Sequence, residues 1–302
     1  MIAIKRIYIF SALIFLFSST LGSPAIGQVL TKKVDPLRPI IEIKTQKTLT
    51  VEELIEKLKR VNYILLGEFH DNASHHQLRG DLILRLNQSK QTVVVEYLLA
   101  GKEVQFLGST LESLHAAGFN SKAWSWSIYG PLFEQLRISQ RPIVGSNLDR
   151  SISKAIFSGE PNPIPSSLKE DYQKSPLSAP VMSALEQGLI EGHCGKLPPA
   201  YLKPMTLVQR LTDISMARVL LERSSGILLA GNGHIRKDYG VPQVLKAVAP
   251  HQSVVNVAFT EDDGLDSKTV ANYRDRYDYV WLTKPIERKD PCADLQFGKP
   301  SS

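Results

Sequence analysis

Six short apolar runs without polar alternation punctuate the chain: Tyr63–Gly67 (YILLG), Thr92–Tyr97 (TVVVEY), Pro142–Ser146 (PIVGS), Gly226–Ala230 (GILLA), Ser253–Phe259 (SVVNVAF) and Tyr279–Leu282 (YVWL). Continuous apolar runs of this length are expected of strands covered on both faces. Helical stretches separate several of them, at Ala73–Asn87, Gly101–Ala117, Pro131–Ser139 and Pro242–Ala249. Before the first run, Thr50–Lys59 predicts a capped amphipathic helix, with Thr50 as cap, Glu53 three residues on, and Leu54 and Leu58 on one face. Strand–helix–strand alternation predicts an α/β domain with a largely parallel sheet flanked by helices. One segment breaks the pattern. Ser158–Pro165 holds three prolines and reads as a loop, and Ser166–Arg223 as a run of helices interrupted at Gly192–Pro199. Residues 158–223 are therefore expected to be a helical subdomain inserted between the third and fourth strands. The α/β domain is expected over 50–295, after a mobile lead-in at 28–49 and before a tail at 296–302.

The N-terminus adds a targeting expectation. Met1–Arg6 is short and positive, Ile7–Phe17 is an apolar run, and Ser18–Gly27 is small and polar. This order predicts a cleaved signal peptide over 1–27, hence an exported protein, periplasmic or secreted. The segment has no cysteine, which argues against a bacterial lipid anchor, and no later apolar run is long enough to predict a transmembrane segment. The 302 residues are 43% hydrophobic and 22% charged, as in ordinary globular chains. The formal charge of +6 includes Lys5 and Arg6 in the leader. Without a basic run interleaved with aromatics, nucleic acid is not an expected partner. Two cysteines, Cys194 and Cys292, cannot build a disulfide scaffold or a zinc ribbon. In an exported chain the pair predicts one bridge.

The ionisable residues are concentrated where the apolar runs end. The first run ends in Gly67-Glu68-Phe69-His70-Asp71 and the second in Glu96. The third ends in Asn147, with Asp149 and Arg150 beyond, and the fourth in Gly231-Asn232-Gly233-His234. In parallel α/β sheets ligands bind outside the carboxyl ends of the strands. Glu68, His70, Glu96 and His234 are thus expected to converge there as catalytic candidates, with Asp71, Asn147 and Arg150 also in the cleft. Two chemistries fit: a divalent metal held by His70 and His234, or a glutamate base with histidine as proton donor or orienting group. Gly67, Gly231 and Gly233 are expected to allow sharp turns, the last two with positive φ. His75 and His76 open the next helix and are expected on a solvated face. Trp124, Trp126 and Tyr129 are expected to form an aromatic core or lid. The chain carries neither a G-x-S-x-G elbow nor a phosphate-binding P-loop pattern.

Read in order, these pieces resemble ChaN-like haem-binding proteins. The strings are Ile64–Gln77 (ILLGEFHDNASHHQ), Val93–Leu98 (VVVEYL), Trp126–Pro131 (WSIYGP), Val144–Arg150 (VGSNLDR), Gly192–Pro198 (GHCGKLP), Gln209–Ala217 (QRLTDISMA) and Leu228–Pro242 (LLAGNGHIRKDYGVP). The resemblance implies a role in haem or iron acquisition, and kinship with erythromycin-esterase-like and Tiki-like enzymes. Those relatives use G-x-x-H turns and glutamates for hydrolysis, which maps onto Glu68, His70, Glu96 and His234. Haem binding needs an apolar slot, an axial donor and cations for the propionates. Tyr129 and Tyr201 are the expected axial donors, His193 lies in the adjoining turn, and Lys196 and Arg236 are the expected propionate partners. A pocket between two subunits, hence a homodimer, also fits the resemblance. The alternative is a metal-dependent hydrolase.

Overall fold

The computed structural model describes residues 39–86, 91–262, 267–290, 292, 293 and 295. The leader and its cleavage point lie outside the described residues. In chain order the elements are β1 (Ile40–Glu42), β2 (Lys47–Leu49), α1 (Val51–Leu58), β3 (Tyr63–Leu66), α2 (Ala73–Arg85), β4 (Thr92–Leu99), α3 (Thr110–Ala116), α4 (Trp126–Ser139) and β5 (Ile143–Asn147). They continue with α5 (Arg150–Phe157), α6 (Ser166–Lys174), α7 (Ala179–Gly192), α8 (Pro199–Leu221), β6 (Gly226–Leu229), α9 (Val241–Val248), β7 (Val254–Glu261), α10 (Ser267–Tyr273) and β8 (Tyr279–Thr283).

The sheet runs β2-β1-β8-β7-β3-β6-β4-β5. The six strands from β8 to β5 are parallel, and β1 and β2 add an antiparallel edge. One sheet face, including Tyr63, Leu65, Val94, Val144, Leu228 and Ala258, packs with Leu211, Ile214 and Ala217 of α8 and Val244 and Leu245 of α9. The alternate residues Ile64, Leu66, Val95, Ile227, Leu229 and Phe259 are also buried. Covering both faces is what makes the strands apolar through their central positions, which are buried on both sides. Between β5 and β6 the chain forms α5 to α8, and the second half of α8 returns across the sheet as a buried crossover helix.

Two expectations are corrected. The end of the lead-in is a hairpin: Ile40 pairs with Trp281 of β8, and β1 pairs in turn with β2. Three-residue strands are too short to show a period, and their pairing partner lies some 240 positions away in sequence. The stretch 101–117 is helical only from Thr110. Gly101 has φ 77°, and Val104 donates to Ile143 O while Gly145 donates to Lys102 O. Lys102–Val104 thus covers the outer edge of β5, a use of backbone that competes with helix and protects an edge strand.

The helix start at Thr50 is a full capping box. Thr50 accepts from the Glu53 amide, and the Glu53 side chain accepts from the Thr50 amide. Thr50→Ala should cost about 1 kcal/mol in urea unfolding. An unchanged midpoint would show that α1 is held by its buried Leu54, Ile55 and Leu58 alone.

Candidate functional site at the strand ends

Register decides which side chains meet. Leu66 of β3 is level with Leu229 of β6, which is level with Val95 of β4. One residue beyond Val95, Glu96 lies beside the chain leaving β6, and the Gly231 amide donates to its Oε2 at 2.8 Å. Its other oxygen, Oε1, lies 3.9 Å from His70 Nε2 and 3.7 Å from His234 Nε2. Three neighbouring strands therefore deliver one carboxylate oxygen between two imidazoles. Burial opposes ionisation of Glu96, but His234, His70 and the Gly231 amide outweigh it and hold the carboxyl below its usual range.

Each imidazole is oriented by a second carboxylate. His70 Nδ1 is 2.6 Å from Glu68 Oε1, and His234 Nδ1 is 2.7 Å from Asp213 Oδ1 of α8. Gln209, one turn earlier on α8, also contacts His234 Nδ1, at 2.9 Å. Burial opposes protonation of His234, yet Glu96 and Asp213 together raise its pKa. Burial raises that of Asp213, whose Oδ2 is enclosed without a hydrogen-bond partner. His70 is the open member, with 46% of its side chain exposed beside the Trp124 ring.

Glu68 is wholly enclosed. Its carboxylate pairs with Arg79 of α2 and accepts from Tyr97 Oη at 2.8 Å and Tyr129 Oη at 3.1 Å. Arg79 also contacts His76 Nδ1 at 2.9 Å, and His76 Nε2 donates to the His70 carbonyl at 3.1 Å. Glu68 thus fixes His70 on one side and is itself fixed by a buried cation.

Several expectations change here. His75 and His76 are fully buried, not solvated. His75 Nδ1 accepts from the Phe69 amide and Nε2 pairs with Thr283 Oγ1. Desolvation lowers their pKa values to about 3 for His75 and about 4 for His76. Tyr129 is buried against His76, Tyr97 and Trp124, and burial raises its phenol pKa, opposite to what a phenolate ligand needs. Arg236 is already matched: it binds Asp238 through Nε at 2.9 Å and lies over the Tyr239 ring. Asp71 is taken by Arg288, and Asn147 folds back to accept from the Leu148 amide. Arg150 is exposed at the start of α5. Tyr201 is half-exposed in the first turn of α8 against Phe157, and Lys196 is exposed and donates to the Cys292 carbonyl. His193 caps α7 through Leu189 O. The Cys194–Cys292 bridge is present.

Gly67 and Gly231 are small for reasons of space. Among the described residues, positive φ occurs at Gly101, Gly118, Gly159 and Gly195, not at Gly67, Gly231 or Gly233. A Cβ on Gly231 would stand 2.9 Å from His70 Nε2, and one on Gly67 2.0 Å from Asn232 Oδ1.

Arg79, Asp213 and Gln209 were not singled out from sequence. Arg79 shares a helix face with His75 and His76 by i+4 and i+3 spacing, a signal that this face meets a buried carboxylate. Asp213 sits among apolar residues of α8 and only its burial marks it. Among the described residues no group of three or more His, Cys, Asp or Glu side chains is arranged to hold a metal. No described helix is long and apolar enough to cross a membrane.

A family model described as haem-binding uptake, Tiki superfamily, ChaN matches residues 54–245. No curated protein matches. Among solved structures the chain is similar to ChaN of Campylobacter jejuni, reported with cofacial haem binding. Identity is 24%, covering 82% of this chain and 97% of that one, with a TM-score of 0.67. It also aligns with an EreC erythromycin esterase mutant, at 14% identity, 85% and 99% coverage and a TM-score of 0.43. The type III effector HopBA1 aligns at 12% identity, 78% and 94% coverage and a TM-score of 0.44.

Proposed function

Because this chain belongs to the ChaN haem-binding uptake family of the Tiki superfamily, we propose that it is an exported haem-binding protein working in haem or iron acquisition. It acts in the periplasm or outside the cell. The observation that carries this reading is an incompletely covered apolar face in the helical run. The sequence of α7, APVMSALEQGLIEG, is rich in apolar residues, yet Leu185 is its one buried residue. Val181, Met182, Leu189 and Ile190 are half-buried, and so are Tyr201, Leu202 and Met205 in the first turns of α8. An apolar surface left in this state suits a flat apolar ligand or a second subunit.

The residues there fit haem. Tyr201 supplies a phenol, and exposed Lys196 and Lys203 supply cations for propionates. When bound, haem brings a ferric centre for which a phenolate is a suitable donor; the chain's part is to bind, orient and shield it. A second copy meeting the same face would give a homodimer. Titration with ferric haem should produce a saturable Soret band at micromolar protein. Tyr201→Phe should shift that band and weaken binding about tenfold, equivalent to about 1.4 kcal/mol. Absence of binding by the wild-type protein would overturn the reading.

The Asp213–His234 pair favours a second reading, hydrolysis at the strand ends. A buried carboxylate on Nδ1 leaves Nε2 of His234 facing Glu96, as a positioned acid–base group requires. Under this reading His234→Asn abolishes turnover of an activated ester and leaves the haem spectrum unchanged. Equal ester turnover by wild type and variant would remove it.

A further inference from the structure

After β8 the chain leaves the carboxyl edge of the sheet and is then fastened at two places. Arg288 clamps two carboxylates. Its Nε and Nη2 donate to Asp71 at 2.6 and 3.1 Å, and its Nη1 and Nη2 donate to Glu261 at 2.7 and 2.5 Å. Asp71 follows His70 directly, and Glu261 ends β7. Four residues further on, Cys292 is bonded to Cys194, with the Cα atoms 5.7 Å apart. Cys194 stands in the turn between α7 and α8 with φ 59°. That turn belongs to the same end of the sheet: Gly188 of α7 faces the hydroxyl of Tyr239, which also approaches Gly233. The tail therefore joins the loop that carries His70 to the helical run that carries Gln209 and Asp213.

We infer that residues 284–290 and Cys292 form a thiol-sensitive strap that fastens the His70 loop at the rim of the strand-end site, held by the Cys194–Cys292 bridge and released by a protein dithiol. The inference rests on the clamp and the bridge and is independent of whether the protein binds haem or hydrolyses esters. The exchange balances simply. A thiolate of the dithiol attacks one sulfur of the bridge, and the other cysteine leaves as a thiolate and takes up a proton. The second thiol of the dithiol, losing its proton, displaces the remaining cysteine, so two electrons pass to the bridge and the dithiol ends as a disulfide. Lys196 donates to the Cys292 carbonyl, a further contact at the same fastening. Once the bridge is cut, the strap is held by the exposed Lys196 contact and the Arg288 pairs, of which the Asp71 one is exposed and weak.

Hydrogen exchange of the full chain, with and without dithiothreitol, tests this. The Phe69 amide donates to His75 Nδ1 and the Asn72 amide to Phe69 O, so both report on the loop under the strap. Reduction should speed their exchange about tenfold, the effect of losing about 1.4 kcal/mol of local stability. Amides of Val93, Val94 and Val95 in β4 should be unaffected. Cys292→Ser should show the fast rates without reductant and no further response to it, and Arg288→Ala should show them with the bridge intact. If Cys292→Ser does not fold, the reduced wild-type protein carries the test. Unchanged loop exchange after complete reduction would make the bridge a staple and overturn the inference. Loop and β4 amides accelerating together would mean global unfolding, and a bridge that stays closed in dithiothreitol would not be thiol-sensitive; either result also overturns it.

Discussion

Glu68→Leu should destabilise the protein by about 3–5 kcal/mol, because it strands Arg79 as a buried charge without its counter-ion. Both side chains are fully buried, and the pair is surrounded by Tyr97, Tyr129 and His76 rather than by water. The carboxylate's attraction is what offsets the cost of keeping a guanidinium out of solvent. Removing only the carboxylate leaves that cost in place. Glu68→Leu combined with Arg79→Met should recover most of the loss, since both ions then leave the core together. Urea unfolding of the single and double variants measures the difference. A single-variant loss below about 1 kcal/mol would mean that water reaches Arg79. The same experiment bears on function, because a Glu68 variant that loses activity also loses the anchor of His70. Activity of Glu68→Gln must therefore be compared with its stability before a chemical role is assigned.

Acidification from pH 7 to 4.5 should remove roughly 5 kcal/mol of stability through His75 and His76. Their folded-state pKa values, about 3 and about 4, lie below the ordinary value of 6.5. Between those values the unfolded chain binds protons that the folded chain refuses. Stability is then complete above about pH 6.5 and falls progressively as pH drops toward the folded pKa values. The hydrogen bonds agree with neutral rings: His75 Nδ1 accepts from an amide and His76 Nδ1 faces the Arg79 guanidinium, so neither nitrogen has room for a proton. His234 has the opposite sign. Burial disfavours its charge, but Glu96 and Asp213 raise its pKa, so its contribution is complete below 6.5 and is lost as pH rises through the raised value. The urea midpoint should therefore peak near neutrality. His75→Gln and His76→Gln should each flatten the acid limb; a midpoint that stays level from pH 7 to 4.5 would refute the assignment.

The sequence by itself determined the α/β class, the six parallel strands and the presence of Glu68, His70, Glu96 and His234 at strand ends. That information is local: an apolar run needs cover on both faces, and a polar cluster just past it has one edge of the sheet to occupy. It also determined which two cysteines could pair. Tertiary structure decided the rest, because the deciding quantity was the partner. His75, His76 and Tyr129 are ordinary polar residues on helices until α2, α4 and β4 pack together and exclude water from them. Asp213 becomes the orienting acid of His234 only when α8 crosses the sheet and brings it within 2.7 Å of the ring. The order β3-β6-β4 places chain-distant strands side by side, and that adjacency, invisible along the chain, sets two imidazoles against one oxygen of Glu96.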